Sequence, residues 1–169
     1  MSASDSTVVW AHACATGAAI SNAAVQALRC SRGGFGCKIH ALTDALGLPM
    51  RFILTRGQAA DIIQAIPLMK DIGSMSALLA DKGHDANALP DWLGQHDITA
   101  AIPPKASSKV QRGCDWHMYK KRHVIECMLG KLKYCRRIAT RYEKKASHFM
   151  GMLTFAVVLL SLCCCMNRA

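Results

Sequence analysis

The pattern of apolar and polar residues predicts strands in the first third of the chain. SDSTVVWAH is rich in β-branched residues, which favours a short strand close to the first residue. CKIHALTD and MRFILTRG alternate between apolar and polar positions as half-buried strands do, and the turn DALGLP between them predicts a hairpin. The Ala-, Ser- and Gly-rich stretch from Cys14 to Gly36 has no clear period, so it is predicted to be a loop that ends in the basic turn SRGGFG.

Helical and strand patterns alternate in the rest of the chain. Asp61 is predicted to cap a helix over IIQAIPLMKDI, and SALLAD is predicted to be a short buried strand that ends at Asp81. A helix over 88–96, a strand over DITAAIPP and a basic loop over KASSKVQRGCD follow. A long helix is predicted from Tyr119 to Ile138 and a final apolar helix over 149–166. This order of elements predicts a mixed α/β domain with helices on the faces of a sheet.

The last apolar segment has two interpretations. Residues 149–166 contain no Asp, Glu, Lys or Arg and follow the basic sequence RYEKKASH, which suits a marginal membrane span. Gly151, Thr154, Ser161 and three cysteines lower the hydrophobicity of the segment, which favours a fully buried helix instead. The chain has nine cysteines without a CxxC pair, which predicts neither a disulfide framework nor a zinc site but a reducing cytoplasm.

The positive charge of the chain is concentrated in one segment. The formal net charge is +10, and residues 105–145 hold thirteen Lys or Arg against three Asp or Glu. The rest of the chain is therefore neutral, and a basic block on a neutral body is typical of a protein that binds a polyanion such as nucleic acid. The alternative is a generally basic protein with a solvated charged face.

Four charged or polar residues of the predicted long helix share one face. Tyr119, Arg122, Glu126 and Lys133 are spaced i, i+3, i+7 and i+14, which on a continuous helix places them within an arc of roughly 60°. A carboxylate among cations suits a metal-assisted phosphate site, in which the acid holds the metal and the bases hold the phosphodiester. By itself the pattern also fits a solvated face. The apolar residues that would pack on the sheet lie more than about 100° from this face: Val124, Ile125, Met128, Leu129 and Leu132.

A two-metal phosphoryl-transfer site needs about three carboxylates from separate elements. Glu126 is the helical candidate, Asp81 ends a buried strand at the carboxyl edge of a sheet, and Asp5 lies in the first strand. The competing acids fit turns, caps or solvated positions better: Asp44, Asp61, Asp85, Asp91 and Asp97.

These motifs together resemble bacterial insertion-sequence transposases of the DDE type. Members carry a Tyr-x2-Arg-x3-Glu-x6-Lys signature, which Tyr119, Arg122, Glu126 and Lys133 match without a gap. The segment from Asp5 to His12 is similar to a DST-V-x-AH motif, and ADKGHD from Ala80 to Asp85 is similar to ADK-x-YD. The resemblance covers nearly the whole chain. It implies a ribonuclease-H-like fold, with a mixed sheet flanked by helices, and one catalytic domain over residues 1–169.

The resemblance also implies a chemistry. By their positions in the family motifs, Asp5, Asp81 and Glu126 would be the catalytic triad that binds two Mg²⁺ (or Mn²⁺) ions, and Tyr119, Arg122 and Lys133 would contact DNA. The expected activity is metal-dependent strand cleavage and strand transfer at insertion-sequence ends. The alternative is an inactive truncated remnant that binds DNA nonspecifically. The expected partners are double-stranded DNA at the transposon ends and the target, a second copy in a homodimer, and a polypeptide from an upstream frame, in the cytoplasm and without a membrane.

Three positions depart from the family pattern. His84 stands where the family usually has Tyr, and Trp10 stands where a basic residue is common. Asp5 is the fifth residue, so the usual N-terminal DNA-binding region is expected to be missing.

Overall fold

Strands and helices alternate along the chain in the computed structural model, which describes residues 1–17, 26–31, 34–70, 72–73, 75–84, 88–105 and 113–166. The strands are β1 (Ser2–Ala11), β2 (Arg29–Ser31), β3 (Gly34–Thr43), β4 (Pro49–Arg56), β5 (Ala77–Leu79), β6 (Thr99–Ala101) and β7 (Thr140–Arg141). The helices are α1 (Asp61–Met69), α2 (Ala88–Gln95), α3 (Trp116–Lys120), α4 (His123–Lys133), α5 (Arg136–Ala139) and α6 (Ala146–Met166). Asp85 and most of the predicted basic loop lie outside the described residues.

The strands form one mixed sheet. Its order is β2-β3-β1-β5-β6, with β4 paired to β3 and β7 paired to β1. β1, β5 and β6 run parallel, whereas β2 and β3 are antiparallel. β4 pairs with the strand before it, across a turn in which the amide of Gly47 donates to the carbonyl of Asp44, so the predicted hairpin is confirmed. The mixed α/β fold, with helices flanking a mixed sheet, confirms the ribonuclease-H-like fold class predicted from the sequence.

The chain divides into two compact units. Unit 1 consists of residues 1–6, 40–53 and 60–127, and unit 2 consists of residues 7–39, 54–59 and 128–169. Each unit is assembled from three separate segments, because β1, β3 and β4 each contribute residues to both. The assignment of residues 1–169 to one catalytic domain stays a prediction.

Unit 1 has its own hydrophobic core. The buried core residues come from the strands β3 and β5, the helices α1 and α2, and the segments that follow β5 and β6: Leu42, Ala65, Leu68, Met69, Leu78, Ala80, Leu89, Leu93 and Ile102. Burial of such aliphatic side chains stabilises a domain by about 1.5–3 kcal/mol each relative to exposure. The core therefore fixes β5, and with it the position of the residues that follow the end of that strand.

The N-terminus of α1 differs from the prediction. The N-cap residue is Ala60, which makes no side-chain capping hydrogen bond, and Asp61 is the first helical residue. The predicted capping role of Asp61 is therefore wrong. A carboxylate in the first turn still favours the helix through the helix dipole, and Asp61 Oδ1 lies 3.4 Å from Nδ1 of the buried His40.

Two further predictions, one of a loop and one of a helix, were also wrong. The predicted loop from Cys14 to Gly36 contains the strand β2, which pairs with the start of β3. The predicted helix from Tyr119 to Ile138 is broken into α3, α4 and α5. At the first break the amides of Lys121 and Arg122 donate to the carbonyls of Met118 and Tyr119. These i to i−3 hydrogen bonds tighten the backbone and interrupt the α-helix.

The C-terminal helix α6 is not the fully buried helix predicted from its composition. It is apolar on all sides, with a mean hydropathy of 1.8 over Ala146–Cys163, but only 17% of this window is buried. Phe149, Leu153 and Ala156 form the buried stripe. By length and composition alone α6 could cross a membrane, which is weak support for a span because helices of soluble proteins have the same properties.

Candidate active site

The parallel pairing of β1 and β5 places two of the predicted acids side by side. Ser2 is in register with Leu78, and Ala3 is in register with Leu79. Asp5 and Asp81 each lie two residues beyond the Ala3–Leu79 pair, Asp5 within β1 and Asp81 after the end of β5. The parallel direction of the two strands therefore carries both acids toward the same end of the sheet. Asp81 follows the carboxyl end of β5, as the sequence predicted.

A guanidinium group joins Asp5 to the third predicted acid. Arg122 Nη1 donates to Asp5 Oδ2 at 2.9 Å, and Arg122 Nη2 donates to Glu126 Oε1. Two nitrogens of one planar group therefore contact carboxylates from β1 and α4, a fork geometry that Arg is well suited to form. The Arg122 side chain is 16% exposed and that of Asp5 18%, whereas that of Glu126 is 51% exposed. The structure thus brings Asp5, Arg122 and Glu126 into one cluster, which we call the acid cluster together with Asp81.

The break between α3 and α4 determines where Arg122 lies. Asp115 caps α3 by accepting from the amide of Met118 at 2.9 Å, and Arg122 occupies the turn between the two helices. Tyr119 lies at the end of α3, where its ring centroid is 5.7 Å from Arg122 Cζ. The 60° arc of a continuous helix is therefore not the geometry that groups these residues. Tyr119, Arg122 and Glu126 meet through a turn and direct contacts.

In Asp5 and Arg122, burial and the opposite charge of the partner shift the pKa in opposite directions. Burial raises the pKa of Asp5, and the nearby charge of Asp81 adds to the rise, while the Ser6 amide and Arg122 oppose it. Burial would lower the pKa of Arg122, but Asp5 and Glu126 outweigh burial and raise it. A like charge favours the protonated form of a carboxyl group, which is the direction in which Asp81 acts on the pKa of Asp5.

Asp81 has a different set of partners, all from the residues that follow it. The Asp81 Oδ1 atom accepts from His84 Nδ1 at 2.8 Å and from the Gly83 amide at 2.9 Å. The hydrogen bond from His84 lowers the pKa of Asp81. A Cβ atom on Gly83 would lie 2.9 Å from the same Oδ1, so a larger residue at this position would displace the Asp81 carboxylate.

The contact of His84 with Asp81 was not predicted from the sequence. His84 was noted only as a departure from the usual Tyr, but it is 2% exposed and its ring orients Asp81. The signal in the sequence was the i, i+3 spacing of Asp81 and His84 across a glycine, which allows a short turn to close on the carboxylate.

Lys133 belongs to unit 2 and has a separate environment. It is the last residue of α4, and its Nζ donates to the carbonyl of Val8 at 3.4 Å. The side chain is exposed. Its ammonium group is therefore accessible to solvent and to an anionic partner.

The competing acids have structural roles where the structure describes them. Asp44 Oδ1 accepts from the amides of Leu46 and Leu48 and so closes the hairpin turn. Asp91 lies in the first turn of α2. Asp97 adopts a left-handed conformation with φ of 54° after the end of that helix. These positions confirm that turn and helix-end roles suit these acids.

The donor set of the acid cluster fits a hard divalent cation, although its arrangement is that of a protein ion-pair network. Carboxylate oxygens are the ligands that Mg²⁺ prefers. Among the described residues, however, no group of three or more His, Cys, Asp or Glu side chains is arranged to hold a metal ion. Arg122 lies between Asp5 and Glu126, and His84 contacts Asp81. A divalent ion would therefore have to replace the contacts of these two cationic or potentially cationic groups.

Fold and site together define a class: an α/β domain whose parallel strands bring acids to one edge beside a strongly basic helical segment. Comparison with known proteins agrees with this class. The family model described as Transposase DDE domain matches residues 28–160, which include Asp81 and Glu126 but not Asp5. The chain belongs to this family of DDE-domain transposases.

Two relatives are each described as a "putative transposase" for an insertion sequence element. The one for IS6501, from Brucella ovis, is 37% identical over 124 residues, which cover 73% of this chain and 95% of the relative. The one for IS402, from Burkholderia cepacia, is 28% identical over 136 residues, which cover 74% of this chain. This chain spans 62% of the length of the IS402 relative.

Proposed function

We propose that this transposase catalyses metal-dependent cleavage of DNA strands at insertion-sequence ends and transfer of the freed strands to a target. The observation that carries the proposal is the acid cluster, in which β1, the end of β5 and α4 supply carboxylates around one guanidinium group. Three acids from separate elements are what a two-metal site for phosphoryl transfer requires. The family membership of the chain and the names of its relatives support the same reaction.

In this proposal Asp5, Asp81 and Glu126 hold two Mg²⁺ or Mn²⁺ ions, which supply neutralisation of the charge on the reacting phosphate. The protein's own side chains orient these ligands. His84 and the Gly83 amide hold Asp81 in one rotamer, and the hydrogen bond from His84 keeps it ionised by lowering its pKa. Such positioning of ligands by neighbouring groups is a large part of how phosphoryl-transfer sites work.

Arg122 is the residue whose role must change between the two states of the site. It neutralises Asp5 and Glu126 in the structure described. When cations occupy the carboxylates, the guanidinium is free to bind a phosphate oxygen, to which its planar fork is equally well matched. We propose that Arg122, with Tyr119 beside it and Lys133 at the end of α4, contacts DNA near the cleaved end.

Double-stranded DNA is the proposed partner of the basic segment 105–145. Not all of its charge is available to DNA, since Arg141 is fully buried and Arg122 is paired with acids. If about six phosphates are contacted, the log–log dependence of affinity on salt should have a slope of about −5. A slope near zero would contradict a DNA-binding role. We place this activity in the cytoplasm.

Glu126→Gln tests the catalytic proposal. The change keeps the shape of the side chain and removes one ligand charge, so we expect it to abolish Mg²⁺-dependent cleavage of DNA that carries the insertion-sequence ends. Salt-dependent DNA binding should remain nearly unchanged, because the basic segment is intact. The matched control is Asp91→Asn, an exposed acid on α2, which should leave cleavage unaffected.

The two measurements separate the outcomes. Cleavage by the wild type that is lost in Glu126→Gln and retained in Asp91→Asn supports the proposal. Cleavage that survives in Glu126→Gln contradicts the assigned triad. Absence of cleavage by the wild type, with salt-dependent binding intact, favours the inactive DNA-binding remnant.

A further inference from the structure

One face of β1 in unit 2 is exposed and carries a large aromatic side chain. Side chains alternate along an extended chain, so Val8, Trp10 and His12 lie on one face, and all three are exposed. Val9 lies on the opposite face and is fully buried. Trp10 is 48% exposed, whereas tryptophan is on average highly buried in folded proteins. Much of an apolar ring is therefore accessible to a partner on this face.

Two glycines of β3 make room for the ring of Trp10. A Cβ atom on Gly34 would lie 3.7 Å from Cε3 and Cζ3 of the indole, and one on Gly36 would lie 3.4 Å from Cε3. A Cβ atom on Gly36 would also lie 2.8 Å from the carbonyl oxygen of Val9, so no larger residue fits there without a shift of the backbone. The indole therefore packs against the backbone of β3, which holds it in place while the rest of the ring faces solvent.

Two exposed cationic side chains lie beside this ring. Nζ of Lys133 is 3.4 Å from the carbonyl oxygen of Val8, two residues before Trp10. Arg29 of β2 is in register with Gly36. Opposed residues of antiparallel strands share a face, so Arg29 lies on the face of β3 that the indole covers. A ring with cations beside it suits a nucleotide, because the base can stack on the ring while the cations bind its phosphates.

A second aromatic pair continues the same face. The rings of His12 and Tyr142 are stacked with their centroids 5.1 Å apart, and Tyr142 is 40% exposed. His12 follows Trp10 by two residues, which is about 6.6 Å along an extended chain. Bases in one strand of a duplex follow each other at about 3.4 Å and stack on one another. The wider spacing of the aromatic side chains therefore suits the separated bases of an extended, unpaired strand.

We propose that unit 2 binds an unpaired DNA strand, with a base stacked on Trp10 and neighbouring phosphates bound by Lys133 and Arg29. Aromatic side chains on an exposed sheet surface bind single strands in this way, and stacking requires no particular sequence because every base has a π face. The inference rests on the proposed DNA partner and adds the form of that DNA. At the position of Trp10 a basic residue is common in the family, so this chain offers a stacking ring where other members offer a charge.

Trp10→Leu tests the stacking contact in the full-length chain. Leucine keeps an apolar cover over the two glycines, so the fold should be retained, but it has no π face. For a single-stranded oligothymidylate without Mg²⁺, we expect the dissociation constant to increase about tenfold, as the loss of one stacked base predicts. The log–log salt dependence should keep its slope, because the cations are intact. The matched control is Trp116→Leu, since Trp116 is 60% exposed on α3 in unit 1, and it should leave the dissociation constant unchanged.

Fluorescence shows whether the base contacts this ring. The chain has three tryptophans, and a base stacked on an indole quenches its emission. Saturating oligothymidylate should quench the wild type and Trp116→Leu, and this quenching should be lost in Trp10→Leu. Quenching of the same size in Trp10→Leu and the wild type would overturn the proposal.

An abasic oligodeoxynucleotide separates stacking from charge. It has the same phosphates as the normal strand but no bases, so Trp10→Leu should bind it as tightly as the wild type does. If Trp10→Leu weakens binding of the abasic and the normal strand equally, the contact is not to a base and the proposal is overturned.

Duplex DNA distinguishes failure of this inference from failure of the proposed function. Salt-dependent binding of duplex by the wild type, with equal binding of the single strand by the wild type and Trp10→Leu, would overturn the inference and leave the proposed DNA partner standing. Absence of salt-dependent binding to either form would overturn both. A tenfold loss for the single strand in Trp10→Leu, with duplex binding retained, supports the unpaired strand as the ligand of Trp10.

Discussion

Two arginines of this chain, one in each unit, have different kinds of hydrogen-bond acceptors around their guanidinium groups. In unit 1, Arg122 is bound by the carboxylates of Asp5 and Glu126 in a partly exposed cluster. In unit 2, Arg141 is fully buried, and its guanidinium donates to the backbone carbonyls of Gln26, Glu143 and Lys144 at 2.8–3.1 Å. Its Cζ also lies 5.3 Å from the ring centroid of Phe149.

This difference in partners indicates that the guanidinium of Arg122 is replaceable, whereas that of Arg141 is structural. In the proposed reaction a divalent ion takes the place of Arg122 beside Asp5 and Glu126, because carboxylate oxygens are ligands of hard cations. Arg141 instead donates to three carbonyl groups that are fixed by the backbone, and these lose their protein donor when the guanidinium is removed. An arginine within a basic segment is therefore not evidence of DNA contact by itself. Its partners decide whether it is available.

The largest expected effect is the loss of stability in Arg141→Met. This change keeps most of the volume but removes the donor of three partly buried hydrogen bonds, to the carbonyls of Gln26, Glu143 and Lys144. A hydrogen bond from a charged group contributes about 1.5–3 kcal/mol, and water can partly replace the donor here, so we expect the free energy of unfolding to fall by about 3–5 kcal/mol. Urea denaturation, with the midpoint compared at constant m value, measures the loss.

Arg122→Met is the matched variant in the other unit. Ion pairs that are partly exposed contribute about 1 kcal/mol or less, so the free energy of unfolding should fall far less than in Arg141→Met. Equal losses in the two variants would show that Arg122 is as structural as Arg141 and would remove the distinction between the two arginines.

The second effect is a stronger response to Mg²⁺ in Arg122→Met. Removal of the guanidinium leaves Asp5 and Glu126 without a competing cation. If the dissociation constant is then about 1 mM, 10 mM Mg²⁺ should raise the free energy of unfolding by about 1.4 kcal/mol. The wild type should be stabilised less, because the ion must first displace Arg122. Thermal unfolding with and without Mg²⁺ measures both shifts.

A double variant provides the control for this response. Arg122→Met with Glu126→Gln lacks one of the proposed ligands, so most of the stabilisation by Mg²⁺ should disappear. If Mg²⁺ stabilises the wild type and Arg122→Met equally, Arg122 and the ion do not compete for the same carboxylates.

The sequence predicted the acids of this cluster better than the contacts among them. The strand patterns placed Asp5 in the first strand and Asp81 directly after a short buried strand, as observed, but the parallel pairing of these two strands was not predicted. The four residues Ile125, Met128, Leu129 and Leu132 are buried as the helical period predicted, and Val124 is half-buried. These features depend on short-range periodicity, which is visible in one sequence.

The features that could not be predicted depend on tertiary contacts or on small differences in local energy. The break at Arg122 rests on a few i to i−3 hydrogen bonds in a segment without Gly or Pro. The exposure of α6 depends on which surfaces surround it, and its composition gave no polar face to mark the exposed side. The buried state of Arg141 was likewise invisible, because its carbonyl partners leave no pattern in the side chains.

The third effect concerns pH. In metal-free protein, the contributions of Asp5 and Asp81 to the free energy of unfolding should change in opposite directions as the pH changes. Burial raises the pKa of Asp5 above its ordinary value of 3.8, so its contribution to stability is present below that value and is lost as the pH rises through the folded pKa. The hydrogen bond from His84 lowers the pKa of Asp81 below 3.8, so its contribution is present above that value and is lost as the pH falls.

Urea denaturation of Asp5→Asn and Asp81→Asn from pH 3 to pH 6 compares the two. The stability of the wild type relative to Asp5→Asn should decrease as the pH rises, because only the wild type has to ionise a buried acid. The stability of the wild type relative to Asp81→Asn should decrease as the pH falls. Slopes of the same sign would contradict the different environments of the two acids.

The smallest expected effect is that of Lys133→Ala on DNA binding. Lys133 differs from both arginines, because its ammonium group donates to the neutral carbonyl of Val8 at the long distance of 3.4 Å and its side chain is exposed. Such an ammonium group loses little when it turns to a phosphate, so it should be one of the cations that DNA recruits. Removing one phosphate contact should flatten the log–log salt dependence by about 0.9, while the free energy of unfolding should change by less than about 0.5 kcal/mol. Lys70→Ala, outside the basic segment, is the matched control and should leave the slope unchanged. If both substitutions flatten the slope equally, DNA senses the total charge of the chain, and the position of Lys133 has no special part in binding.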